Sequence, residues 1–116
     1  MHKDWKKTTQ DLSALMQEVR KGVPEVAKGF TQMAKGANVD GALSHKHKEL
    51  MALAIGISTR CEGCIAFHAK AAADLGASRD EIMETIGVGI YMGGGPAFTT
   101  GAQALEAYDT FAAERG

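Results

Sequence analysis

The sequence predicts an all-α fold, a bundle of five to six helices that oligomerises. Three observations carry that expectation. Ala, Leu, Met, Lys and Glu are plentiful, while Val, Ile, Thr and the aromatics are too scattered for runs that alternate with period two. Apolar residues recur instead at i, i+3, i+4 and i+7, the spacing that lines one face of a helix. Glycine, proline and serine punctuate these runs where helices start and stop.

A first helix is predicted over 9–21, with Leu12, Leu15, Met16 and Val19 on one face and Gly22 closing it. A second begins at Pro24, whose missing N–H costs nothing in a first turn, and runs to about Lys35 before Gly36. Val26, Ala27, Phe30, Met33 and Ala34 make its apolar stripe. A third starts after Ser44 and continues to about Ser58, with Leu50, Leu53, Ala54 and Ile57 inward. A fourth runs from Cys61 or Glu62 to Leu75 and stops at Gly76. Ser78 and Glu81 form a capping box that opens a fifth, lined by Ile82, Met83, Ile86, Ile90 and Tyr91 and broken by Gly93-Gly94-Gly95-Pro96. The stretch 97–113, anchored by Leu105, Tyr108 and Phe111, is a sixth helix or the bent continuation of the fifth.

A chain of 116 residues, 45% hydrophobic and 23% charged, makes one domain, 1–116, large enough for a core of its own. This composition excludes intrinsic disorder. The longest stretch free of charge, up to Glu106, holds six glycines and a proline, poor material for a membrane span. No apolar segment follows the lysines of the N-terminus as a secretory signal would require, so a cytoplasmic location is expected. A net charge of −1 draws neither nucleic acid nor membrane. Residues 1–48 carry nine Lys or Arg and five acids, and residues 49–116 carry four and nine. That imbalance reads as solvated faces of opposite sign. Its alternative is crossed packing between subunits. Gly56, Gly87 and Gly89 fall inside helices, where close packing explains them.

Both cysteines lie in one motif, Arg60-Cys61-Glu62-Gly63-Cys64-Ile65-Ala66-Phe67-His68. The loop between them is too short to constrain an unfolded chain, so a purely structural disulfide is a poor explanation. Across the start of a helix, free N–H groups and the helix dipole favour a thiolate, the nucleophile of disulfide exchange and of attack on peroxide oxygen. His68 lies four residues after Cys64, one turn or about 6 Å along a helix, whereas Cys61 is nearly two turns away, about 10 Å. If His68 assists a cysteine, Cys64 is the better placed. Glu49, on the preceding helix beside the small Ala52 and Gly56, is the candidate to orient that imidazole.

Glu49, eleven residues, then Cys61-x-x-Cys64-x-x-x-His68 resembles the core motif of the alkyl hydroperoxidase AhpD and carboxymuconolactone decarboxylase superfamily. The likeness covers about 44–111, including the Gly76-Ala77-Ser78 turn and the capped helix after it. The resemblance implies an AhpD-like helical domain that assembles as a dimer, trimer or hexamer. It also implies peroxidase activity through the cysteine pair; neither cofactor nor metal is expected. Cys64 then matches the cysteine that attacks hydroperoxide, Cys61 the resolving one, and Glu49 and His68 the proton relay. An external dithiol or thioredoxin-like reductant would restore the thiols. The branch that carries the pair has a further histidine just before the second cysteine, where this chain has Gly63, so the relay is shorter by one group. The decarboxylase branch generally lacks the cysteine pair.

Other readings are less well supplied. A zinc site on Cys61, Cys64, His68 and His45 or His47 lacks the second paired knuckle of structural zinc. His45 and His47 read as surface residues, and the methionines Met16, Met33, Met51, Met83 and Met92 as core filling. The Gly93–Gly95 run lacks the Lys-Ser/Thr ending of a phosphate loop and reads as a helix break. Trp5 either docks on a neighbouring subunit or frays. Ile65, Phe67 and Tyr91 are expected to give a peroxide site an apolar lining. The remaining alternatives to a peroxidase are a redox-responsive or disulfide-exchange oligomer and a decarboxylase-like enzyme independent of the cysteines.

Overall fold

In the computed structural model, residues 1–115 are described. They form α1 (Trp5–Gly22), α2 (Pro24–Asn38), α3 (His45–Ser58), α4 (Glu62–Asp74), α5 (Arg79–Gly93) and α6 (Gly95–Arg115), with no strand among the described residues. The fifth and sixth segments are two helices. Gly94, at φ 76°, takes a left-handed conformation open to glycine, and its N–H caps α5 on the Ile90 carbonyl. None of the helices is long and apolar enough to cross a membrane.

Helices α3 to α6 make the core. Leu53 and Ile57 of α3, Ile65, Ala66, Ala69 and Ala72 of α4, Ile82 of α5 and Ala104 and Ala107 of α6 are sealed from solvent. Alanine predominates on α4 and α6, and these two helices therefore approach closely. The two glycines expected to mark tight packing on α3 and α5 do so: a Cβ on Gly89 would meet Ile57 at 3.0 Å and one on Gly56 would meet Cys64 at 2.9 Å. Gly87 differs, because a Cβ there would meet nothing within 4 Å.

Helix α1 begins four residues earlier than the apolar periodicity predicts. Asp4 caps it by accepting the Lys7 N–H at 3.0 Å, and Trp5 is wholly buried in the core of its own chain. The Trp5 indole N–H donates to Glu106 of α6 at 2.9 Å, and the same carboxylate accepts the backbone N–H groups of His2 and Lys3. Docking on a neighbour and fraying are both excluded for Trp5. A carboxylate one hundred and one residues away supplies the partner, which no local pattern could reveal.

The other half of the α1–α2 hairpin stands clear of the core. Helix α2 continues past Gly36 to Asn38 and has no buried residue. Its apolar stripe points outward, with Val26 70%, Phe30 61% and Met33 63% exposed. Leu15 and Val19 of α1 are exposed to a similar extent. The methionines expected in the core are exposed too: Met16, Met33, Met51, Met83 and Met92 all lie at the surface. Period alone shows which side of a helix is apolar; it does not show whether this chain covers that side.

Candidate active site

The turn between α3 and α4 positions the cysteines. Helix α3 ends in two crossed bonds, the Arg60 N–H to the Ile57 carbonyl at 3.2 Å and the Cys61 N–H to the Gly56 carbonyl at 3.0 Å. Arg60 sits where glycine usually does, at φ 58°, the sole non-glycine with positive φ among the described residues. Such a conformation costs a side-chain-bearing residue about 1–2 kcal/mol. The tight reversal delivers Cys61 to the N-cap of α4, where its Sγ accepts the Cys64 N–H at 3.1 Å. Cys61 and Cys64, with Cα atoms 5.2 Å apart, are joined as a disulfide, and both are half-buried.

Gly56 lets α4 approach α3 closely enough for the Cys64 Cβ to lie against the α3 backbone. From that contact the two helices run in opposite directions, so that a residue one turn beyond Cys64 meets one two turns before Gly56. Those residues are His68 and Glu49. The His68 Nδ1 and Glu49 Oε1 are hydrogen-bonded at 2.6 Å, with the Glu49 side chain 8% exposed and that of His68 35%. A carboxylate this buried needs its oxygens satisfied. His68 takes one.

The other oxygen has a partner that was not expected. His45 Nε2 lies 3.1 Å from Glu49 Oε2, so His45 is joined to the site rather than being a bystander on the surface. Its backbone N–H is held by Asp40 Oδ1 at 2.8 Å, which pins the first residue of α3. The i, i+4 spacing of His45 and Glu49 was the available signal. It was masked by the alternating HKHK sequence, which resembles an ordinary solvated helix start. His47 turns instead to Ser44 Oγ, at 2.8 Å. No three His, Cys, Asp or Glu side chains among the described residues are grouped as metal ligands. The two imidazoles hold opposite oxygens of one carboxylate and so do not converge on a common point.

Gly63 faces α1: a Cβ there would lie 3.4 Å from Leu12 Cδ1, so the space above the cysteine turn belongs to that leucine. Lys3 pairs with Glu62 at 3.3 Å and ties the N-terminal arm to the same turn. The expected apolar lining does not assemble. Ile65 is sealed in the core, Tyr91 is 83% exposed, and only Phe67 is half-buried, beside Met16 and Arg20 of α1. Ile65 follows Cys64 directly and must point about 100° away from it on the helix.

The sequence profile of the carboxymuconolactone decarboxylase family matches residues 24–107. The chain belongs to that family. The crystal structure of apo-lpg0406, a carboxymuconolactone decarboxylase family protein from Legionella pneumophila, superposes with a TM-score of 0.90 at 42% identity, over 93% of this chain and 96% of that one. An uncharacterised protein of Haemophilus influenzae is 35% identical over 93% of this chain and 96% of its own length. An uncharacterised protein of Cupriavidus necator is 36% identical over 73 residues, and the matched region spans 65% of its length. For uncharacterised protein 4 in the cox locus of Paracoccus denitrificans the identity is 40% over 70 residues, or 63% of its length. Family membership accounts for the all-α architecture and for the superfamily motif; the family includes enzymes, and its shared fold does not by itself specify a reaction.

Proposed function

We propose that this family member is a thiol peroxidase that reduces hydroperoxides. The observation that carries this reading is the buried Glu49 carboxylate hydrogen-bonded to His68 at 2.6 Å, one helical turn from a cysteine that already forms a disulfide with its neighbour. In the reduced enzyme His68 takes the proton of Cys64, and Glu49 stabilises the imidazolium. The Cys64 thiolate attacks the terminal oxygen of ROOH. An S–O bond forms as the O–O bond breaks, two electrons pass from sulfur to peroxide, and the leaving alkoxide regains the proton from His68 to depart as ROH. Cys61 then attacks the sulfenic acid: an S–S bond forms, the S–O bond breaks and water leaves. An external dithiol, thioredoxin-like in chemistry, returns two electrons and two protons to the pair. A cytoplasmic setting supplies such donors.

The test is single-turnover reaction of the reduced protein with cumene hydroperoxide. One equivalent is expected to yield the Cys61–Cys64 bridge by mass spectrometry, with Cys64→Ser inactive and Cys61→Ser arrested at the sulfenic acid. If Cys64→Ser keeps the wild-type rate while Cys61→Ser is dead, the roles are reversed. Activity that survives replacement of both cysteines would favour a decarboxylase-like enzyme.

A second reading has its own observation. Cys61 Sγ, not Cys64 Sγ, accepts the first-turn N–H of α4, which favours a thiolate there and so disulfide exchange with a protein partner. Trapping a mixed disulfide through Cys61 in a Cys64→Ser variant would support it. Assembly into a homo-oligomer fits both readings, because Phe30, Met33, Leu15 and Val19 form an apolar face that α3 to α6 leave open. Light scattering is expected to give a mass above the 12.3 kDa protomer.

A further inference from the structure

We propose that His45 is the outer end of the proton relay, exchanging protons with solvent through Glu49 while substrate or reductant covers the cysteines. The inference rests on the reading of Glu49 and His68 as a relay, and it adds a group that the motif does not contain.

Glu49 is 6% exposed yet carries an imidazole on each oxygen. An ordinary i, i+4 histidine–glutamate pair on a helix surface joins two solvated groups and does little. Here the carboxylate is buried and the histidines are not, at 38% and 35% side-chain exposure. The three side chains form one path, from His68, one helical turn past Cys64, across the carboxylate, to His45. The two ends open in different places. His45 lines a cleft of about 360 Å³ between α1, α2 and α3 with Arg20, Phe30, Lys35 and Asn38, and neither cysteine nor His68 contributes to it.

This separation matters during turnover. In the free protein His68 reaches water directly. A hydroperoxide or a donor protein seated on the sulfurs covers that end, and reduction of the disulfide must still deliver a proton to each departing sulfur. When the doubly protonated His68 gives its Nε2 proton to the departing sulfur and keeps Nδ1–H on Glu49 Oε1, His45 passes its Nε2 proton to Glu49 Oε2 and takes a replacement from water at Nδ1. No net charge is left in the buried middle of the path. The charged groups facing His45 are Glu49 on its own helix, Asp40 at its backbone, and Arg20 and Lys35 across the cleft.

The test compares wild type with His45→Gln, whose amide can still donate to Glu49 but cannot carry a proton, and with His45→Ala. Two readouts are used. In peroxide turnover with a dithiol donor, His45→Gln is expected to fall roughly 10-fold to 100-fold, the low end of what a positioned acid or base contributes. Added imidazole should restore it while leaving wild type unchanged. In NMR of the reduced protein without peroxide, the His68 ring nitrogen resonances are expected to move in His45→Gln, because both rings hydrogen-bond one carboxylate. Unchanged His68 ring resonances in His45→Gln overturn the relay, as does turnover equal to wild type or a loss that imidazole fails to restore. Wild type inert toward cumene hydroperoxide would instead remove the peroxidase reading, and the NMR comparison would still decide whether His45 and His68 share Glu49.

Discussion

Replacing Gly56 by alanine separates the geometry of the site from its chemistry, because Gly56 contributes no reactive group. The new Cβ would lie 2.9 Å from Cys64 Cβ and 3.6 Å from the backbone carbon of Cys64 and the nitrogen of Ile65. Carbon atoms rest at about 3.5–4.0 Å, so the first contact must open by about 0.6 Å or more. Cys64 Cβ cannot rotate away, since it is fixed by the α4 backbone; the helix itself has to move. Overpacking of this kind costs about 1–3 kcal/mol, offset by about 1 kcal/mol from the better helix propensity of alanine. Stability should therefore fall by about 2 kcal/mol or less. The same shift carried along α4 would stretch the 2.6 Å bond between Glu49 and His68 beyond 3 Å. A misplacement near 1 Å costs about 100-fold in rate. Urea denaturation, stopped-flow peroxide reduction and the alkylation rate of Cys64 measure the three effects. Unchanged peroxide and alkylation rates in a folded Gly56→Ala protein would refute the claim that the α3–α4 approach sets the site.

Gly87→Ala is the matched control. With open space around it in the middle of α5, it should stabilise the protein by about 0.5–1 kcal/mol and leave peroxide reduction unaltered, as read by the urea midpoint and the same kinetics. Arg60→Gly should stabilise by about 1 kcal/mol, because glycine adopts the left-handed backbone at this turn without steric cost; a loss of stability in thermal unfolding would mean that the Arg60 side chain contributes more than the strain. Glu106 should release the N-terminal arm in acid. The His2 N–H above all, with help from those of Lys3 and Trp5 and against the opposing effect of burial, holds its carboxyl below the usual range near 4.5. A depressed value means that the contribution to stability is complete above that range and is lost as pH falls through the lower, folded-state value. Trp5 is the single tryptophan, so its fluorescence should shift to the red in that acid window, and in Glu106→Gln already at neutral pH. Emission of Glu106→Gln identical to wild type would show that the indole is held by packing alone.

Much of the site was legible because its parts are local. Cys61, Cys64 and His68 share one helix, and helical rise alone places them within a turn or two of one another. The capping box of Ser78 and Glu81 forms with both its bonds, and the Pro24 start of α2 is where its chemistry puts it. Glu49 was found through the spacing of the superfamily motif, and its membership in the carboxymuconolactone decarboxylase family agrees with that resemblance. His45 reads from sequence as a surface residue or a poorly supplied zinc ligand, not as a partner of Glu49. A histidine four residues before a glutamate is unremarkable until that glutamate is known to be buried.

What the sequence determined by itself is set by neighbours along the chain: the all-helical class, the starts of α2, α3 and α5, and the order of sulfur and imidazole on α4. Tertiary structure alone decided which apolar faces this chain covers, where the Trp5 ring goes, and that one carboxylate joins two histidines from different helices. Periodicity records the side of a helix on which apolar residues lie, and burial depends on which other helix arrives there. That arrival is governed by contacts such as Gly56 against Cys64 and Trp5 against Glu106, whose partners are separated by eight and by one hundred and one residues.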